Sequence, residues 1–277
     1  MIIIAEKING TRKSVNKAVL EKDVKFIENL ALSQVEAGAT YLDVNAGTPT
    51  DREPDDMIWL VETVQNVTDC PLCLDSPNGK ALLAGLKVCK KEPMINSISG
   101  EPDRLESVLP VVADNKLKVL ALAIDCSIIQ PTVEGRMKIV RNLFDITSKA
   151  GLPDEYVFID PLIMSAATTG DAAAVSLEIM RTILKEHPTA HLTGGMSNIS
   201  FGLPARSLLN RAFMTLAMDA GLDSAIMDPT DRALMECIYA TDAVLGKDKF
   251  CNKYNRAYRN GKIGVKPAEK PTGKPAC

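Results

Sequence analysis

Aromatic side chains are scarce in this chain, at 4% of 277 residues, although hydrophobic residues reach 46%. The core must then be built mainly from Leu, Ile, Val, Ala and Met, which suits parallel strands covered on both faces by helices. Long hydrophobic runs are missing too, since no stretch approaches the roughly 18 consecutive apolar residues of a membrane span. The opening MIIIAEKING has neither a basic first region nor a small-residue cleavage site, so the chain reads as cytoplasmic.

A basic footprint is also lacking over most of the length. Six Lys or Arg and one Glu fall in 256–277, leaving 26 basic against 34 acidic residues elsewhere, a net of −8. Such a body does not displace counterions from phosphates, which excludes a nucleic-acid surface and leaves small molecules and proteins as partners. The basic segment spaces Lys and Pro with almost no apolar residues, and reads as a flexible tail, 256–277, following a body over 1–255. Seven cysteines, an odd number, point to free thiols in a reducing compartment. Cys70 and Cys73 form a C-x-x-C, but no second Cys or His pair stands at ligand spacing, so no metal site is expected.

Short β-like runs at 2–5, 41–44, 72–74, 94–95, 119–123, 156–159, 191–194 and 224–227 alternate with helical periodicity at 23–37, 56–67, 134–149, 172–186, 206–220 and 231–245. Eight such repeats predict an α/β fold, a single-domain (β/α)8 TIM barrel. No G-x-G-x-x-G turn follows the first run, so a dinucleotide-binding sheet loses its main signature.

A barrel of this kind builds its active site at the carboxyl ends of its strands. Reading onward from each run gives Glu6 and Asn9, Asp43 and Asn45, Asp75, Asn96, Asp125, Asp160, Asn198 and Asp228, with no Lys or Arg. Sugar-phosphate and Schiff-base barrels need cations, phosphate loops or a lysine there. Acceptors and amides suit a flat heterocycle rich in N–H groups instead, such as the edge of a 2-amino-4-oxo pterin. A single strand-end Asp or Asn is also a common helix cap or turn residue, and Asn45, Asp125 and Asp228 are left to that role.

Six segments carry a family resemblance: AEKING (5–10), LDVNAG (42–47), LCLDS (72–76), MINS (94–97), IDPLI (159–163) and MSNIS (196–200). In order and placement they resemble the pterin-binding methyltransferases, in particular those acting between methyltetrahydrofolate and a corrinoid protein. Dihydropteroate synthase is a fold relative. The resemblance implies a dihydropteroate-synthase-like barrel that takes tetrahydrofolate or 5-methyltetrahydrofolate as substrate and works with a corrinoid (cobalamin) carried by a partner protein. It implies that Asp75, Asn96 and Asp160 hold the pyrimidine edge, that Asn198 reaches N5, and that Glu6 and Asp43 belong to the same binding surface. Gly194 and Gly195 let the backbone approach the ring, Arg206 stands at the edge of the site or is simply exposed, and the assembly is a homodimer. Where the family has Gln after its S-N-hydrophobic-S stretch, this chain has Phe201.

Neither histidine lies in these motifs, so a histidine acid is not expected. Asn198, oriented by Asp160 and water, is the expected donor to N5. Two other readings stay open at this point: a pterin-binding subunit that docks a corrinoid protein without catalysis, and a dihydropteroate-synthase-like enzyme.

Overall fold

All eight expected strands form and run parallel: β1 (Ile2–Asn9), β2 (Tyr41–Asn45), β3 (Leu72–Asp75), β4 (Met94–Ser99), β5 (Lys118–Leu122), β6 (Val157–Asp160), β7 (His191–Leu192) and β8 (Ser224–Met227). The computed structural model describes residues 1–126, 128–168 and 170–265. The strand order, β7-β6-β5-β4-β3-β2-β1-β8, puts each strand beside its sequence neighbour and returns β8 to β1. The circle closes between β7 and β8, where Ile226 N donates to Gly194 O at 3.0 Å and Ser224 Oγ to Leu192 O at 3.2 Å. The result is a (β/α)8 barrel.

Strand parity sorts the side chains into two cores. Ile4, Cys73, Met94, Leu120 and Phe158 point inward and fill the barrel, with Ile2, Tyr41 and Ile226 at the margin. Their strand neighbours, among them Ile3, Leu42, Leu74, Ile95 and Ile159, face outward into the larger core beneath the helices. Two residues further along a strand the parity is the same. Ile4 therefore leads to Glu6, Cys73 to Asp75, Met94 to Asn96 and Phe158 to Asp160, while Tyr41 leads to Asp43 and Asn45. An apolar floor is thus capped by a polar mouth.

β2, β3 and β6 run one residue past their expected ends, and two strands run four residues past theirs. β1 continues from Ala5 to Asn9 and β4 from Ile95 to Ser99, each through a register irregularity, between Ala5 and Ile8 and between Asn96 and Ile98. The inward polar residues at these ends interrupt the apolar run, which hides the strand's continuation, and the extra residue re-aims the side chains around it.

The helices are α1 (Lys13–Glu21), α2 (Val24–Ala37), α3 (Glu53–Gln65), α4 (Gly79–Val88), α5 (Pro102–Ser107), α6 (Leu109–Asn115), α7 (Val133–Lys149), α8 (Ala172–Glu186), α9 (Arg206–Asp219), α10 (Arg232–Val244) and α11 (Asn252–Arg259). Six follow the expected periodicity, and side-chain caps set three of their starts, with Asp23, Thr132 and Asp231 accepting from Phe26, Gly135 and Leu234 N–H groups. α1, α4, α5, α6 and α11 were not expected. Glycine masks α4, where Gly85 is needed because a Cβ there would lie 2.8 Å from Met57 Cγ.

The boundary expected at 255 is corrected by α11, which runs through it. Ala257 and Ile263 are 4% and 3% exposed, and Arg232 Nη2 donates to Gly264 O at 2.6 Å, so the body includes these residues. The rest of the expected tail, 266–277, lies outside the described residues. No helix among the described residues is long and apolar enough to cross a membrane.

Candidate functional site

Neighbouring strands bring four of the mouth residues into two amide–carboxylate pairs. Asn96 on β4 donates through Nδ2 to Asp43 Oδ1 at 3.2 Å, reaching across β3 to β2. Asn45 on β2 donates through Nδ2 to Asp75 Oδ2 on β3 at 3.0 Å. Asp43 is 2% exposed, and burial, then the negative charge of Asp75, push its carboxyl well above the usual range, against the opposing hydrogen bond from Asn96. Burial likewise lifts Asp75 to about 6, with the Asn45 bond and Arg104 pulling down and Glu53 pushing up. Two carboxyls this close titrate as a unit. Asn45 Oδ1 and Thr193 Oγ1 are buried without a partner among the described residues.

Asp160 closes β6 and is 6% exposed. Burial raises its carboxyl to about 6, although the N–H of Leu162, 2.7 Å from Oδ1, and the guanidinium of Arg136 oppose the shift. Gly194 and Gly195 lie between Asp160 and Asn198. A Cβ on Gly194 would stand 3.2 Å from Asp160 Oδ1 and 3.0 Å from Ile163 Cδ1, while one on Gly195 would stand 3.1 Å from Asn198 Nδ2. Only glycine leaves this floor open.

Asn198 is exposed in the 3-10 turn Met196–Ser200 that follows β7. Among the described residues its side chain makes no hydrogen bond, so no direct bond from Asp160 orients it. The turn is held instead by Arg206, the first residue of α9, which donates through Nε to Ser200 Oγ at 3.0 Å and through Nη2 to Ser197 O at 2.7 Å. Arg206 therefore braces both sides of Asn198 while remaining exposed.

The expectation of a mouth free of cations is corrected. Because β1 continues past Ala5, Lys7 belongs to the strand end, and its Nζ pairs with Asp228 Oδ2 at 3.0 Å. Arg12 Nη2 lies 3.3 Å from Glu6 Oε1, and burial raises the Glu6 carboxyl in spite of this partner. Each of these cations has an acid beside it. Asp228 does serve its turn, accepting from Thr230 N at 2.9 Å and Thr230 Oγ1 at 2.6 Å, and Asp125 is exposed. Asn45, assigned from sequence to a cap or turn, instead closes β2 and bonds Asp75 at the mouth, because the inward parity of β2 carries it there.

Cys73 belongs to the barrel filling, whereas Cys70 Sγ faces the carbonyls of Ala39 and Thr40 at 3.9 and 3.5 Å. Among the described residues no three His, Cys, Asp or Glu side chains are grouped to hold a metal ion. The mouth offers carboxylate acceptors at the ends of β2, β3 and β6, and an exposed amide, Asn198, in the turn that follows β7. Arg136, buried behind Asp160, gave no signal in the sequence, where a helical arginine reads as solvated.

The profile of the pterin binding enzymes matches residues 5–228. A methylcorrinoid:tetrahydrofolate methyltransferase of Eubacterium limosum is 43% identical over 266 residues, which cover 95% of this chain and 98% of that protein. Methionine synthase of Mycobacterium leprae (strain TN) is 31% identical over 240 residues, covering 82% of this chain and 20% of that protein. Dihydropteroate synthase from Xanthomonas albilineans with 4-aminobenzoic acid superposes with a TM-score of 0.66 over 90% of this chain and 92% of that one, at 19% identity, a likeness of fold alone. With the family match running from β1 to the end of β8, and one relative aligned along nearly its whole length, this chain belongs to the pterin binding enzymes.

Proposed function

We propose that the chain is a methyltransferase that moves a methyl group between N5 of a tetrahydrofolate and the cobalt of a corrinoid carried by a partner protein. The observation that carries the reading is the one-sided mouth, with Asp75, Asn96 and Asp160 on inward parity at the ends of β3, β4 and β6. A pyrimidine edge with a 2-amino and a ring N–H presents adjacent donors, and an ionised carboxylate accepts both in paired, charge-assisted bonds. Those bonds offset the desolvation that already raises Asp75 and Asp160. Asp43 and Glu6 back this wall, Asp43 through Asn96.

Gly194 and Gly195 leave room for a ring against the backbone, and in this reading N5 lies toward the turn that carries Asn198. A tertiary N5 is a poor leaving group. In the folate-to-cobalt direction N5 takes up one proton from solvent as the C–N bond breaks, so that it leaves as a neutral amine, and in the reverse direction that proton returns to solvent. An Asn198 N–H aimed at N5 strengthens as electron density builds there, so that the interaction favours the transition state over the ground state. Arg206 keeps this donor in place. The corrinoid supplies the cobalt that accepts or gives up the methyl group, and the barrel contributes binding, orientation and the hydrogen bond.

We further propose that the chain works in the cytoplasm as a homodimer, the latter to be checked by light scattering. The central test mixes purified protein with labelled 5-methyltetrahydrofolate and reduced cobalamin. Labelled methylcobalamin is the expected product. Its absence, together with no heat of binding for any tetrahydropterin, refutes the reading.

A further inference from the structure

We infer that Arg136 is a positioning residue for the pterin-facing carboxylate of Asp160, because its buried guanidinium grips the backbone turn that aims Asp160 into the mouth. This deepens the proposed function and rests on it for the identity of the ligand. Arg136 lies in the first turns of α7, is 1% exposed and is among the largest fully buried side chains. Arginine is rarely buried to this degree without a carboxylate partner. Here no carboxylate among the described residues lies within ion-pair distance of it. Its N–H groups go to carbonyls instead: Nε donates to Gln130 O at 2.6 Å, and Nη1 to Pro161 O at 2.8 Å and Leu162 O at 2.9 Å.

Two of these three carbonyls, those of Pro161 and Leu162, belong to the residues that follow Asp160. Leu162 has φ of 60°, the left-handed region that a branched side chain avoids, and its N–H is the one that donates to Asp160 Oδ1. The chain of contacts is therefore short. Arg136 holds the carbonyls of the turn, the turn presents the Leu162 N–H, and that N–H fixes the carboxylate. Arg136 is also the one charged side chain that acts on Asp160, whose remaining partners are the N–H groups of Leu162 and Gly195. A buried cation solvated by neutral carbonyls is costly, and a role confined to packing does not require charge. The charge does its work on Asp160, where it opposes the effect of burial.

The test uses the full chain with Arg136→Met and Arg136→Lys. Calorimetry with 5-methyltetrahydrofolate between pH 5 and 8.5 should show binding to Arg136→Met weakened at least tenfold at pH 7.5, with the acid limb of binding displaced upward. Arg136→Lys restores the charge without the planar fork, so the limb returns toward the wild-type position while affinity recovers only in part. Unchanged affinity overturns the proposal. So does an equal loss at every pH that follows the loss of melting temperature, which is what simple loosening produces. Should Arg136→Met fail to fold, the Lys variant decides by its partial affinity. The Asp160 carboxyl titration, followed by carbon NMR in ligand-free protein, reads the same clamp. It must move in the variant even if the wild type binds no folate, an outcome that refutes the function and leaves the clamp standing.

Discussion

Asn45 Nδ2 stands 3.0 Å from Asp75 Oδ2, while Asn45 Oδ1 is buried with no partner among the described residues. One amide thus commits its donor to a carboxylate and keeps an acceptor unpaired. Thr193 Oγ1, just beyond β7, is likewise buried with no partner among the described residues. A buried acceptor without a donor costs about 1–3 kcal/mol, and a ligand that brings N–H groups recovers that cost on binding.

The pH dependence of folate binding follows from the two carboxyls raised to about 6, Asp75 and Asp160. Each must be ionised to accept two N–H bonds. Affinity is expected to be flat from pH 8 to 7 and to fall below about 6, approaching tenfold per pH unit for each carboxyl. The sign for folding is opposite. A folded pKa above the unfolded value near 4 means that the stability contributed by these groups is fully present below that value and lost as pH rises through about 6. Ligand-free protein should therefore gain stability from these two groups on going from pH 8 to 5, while the extra stabilisation by tetrahydrofolate shrinks. A dissociation constant unchanged from pH 8 to 5 contradicts the assignment.

Replacing Asn198 with Ala removes an exposed amide donor whose side chain has no other hydrogen bond among the described residues. Loss of a single preorganised donor to developing charge costs roughly 2.7–4 kcal/mol, or about 100-fold or more in rate. Single-turnover methyl transfer at saturating folate should fall by that factor, with folate affinity within about threefold of wild type. Wild-type rates from Asn198→Ala would remove Asn198 from the mechanism.

The placement of much of this candidate site was legible because strand parity and motif order survive without knowledge of the fold. Asp43, Asp75, Asn96 and Asp160 stand at the ends of runs whose alternation already separates inward from outward residues. Three features were not legible, each for a physical reason. Asn45 looks like a turn residue because it precedes Gly47 and a proline, yet β2 extends to include it. Lys7 looks like loop because the register irregularity in β1 breaks the alternation at that point. Arg136 sits on a helix whose polar face gives no hint that one arginine turns inward to carbonyls 25 residues away.

The two adjacent glycines should separate binding from rate. In Gly194→Ala the new methyl crowds Asp160 Oδ1 at 3.2 Å and Ile163 at 3.0 Å, both in packed surroundings, so the carboxylate must shift. Folate affinity is expected to drop about tenfold or more, the equivalent of 1.4 kcal/mol. In Gly195→Ala the methyl meets only the Asn198 amide, at 3.1 Å, on a side chain with no other bond to lose. The rate should fall more than the affinity. Equal effects in both variants would mean that Asp160 and Asn198 do not divide the work in this way.

A chain ending at residue 255 tests where the body stops. That end removes the latter half of α11 together with Ala257 and Ile263, both buried. It also removes the bonds from Arg232 Nη2 to Gly264 O at 2.6 Å, from Gly264 N to Glu236 Oε1 at 3.0 Å, and from Lys262 Nζ to Glu36 O at 3.1 Å. Burial of an isoleucine contributes about 1.5–3 kcal/mol, and exposed hydrogen bonds add little beyond it. Truncation should therefore cost about 2–4 kcal/mol in denaturant unfolding, whereas a body that truly ended at 255 would unfold at the same midpoint as the full chain. The Arg232–Glu236 pair survives the truncation, and exposed pairs of this kind contribute less than about 1 kcal/mol in any case. A midpoint that moves with Ile263→Ala alone, by about 2 kcal/mol or more, would assign most of the loss to that one side chain.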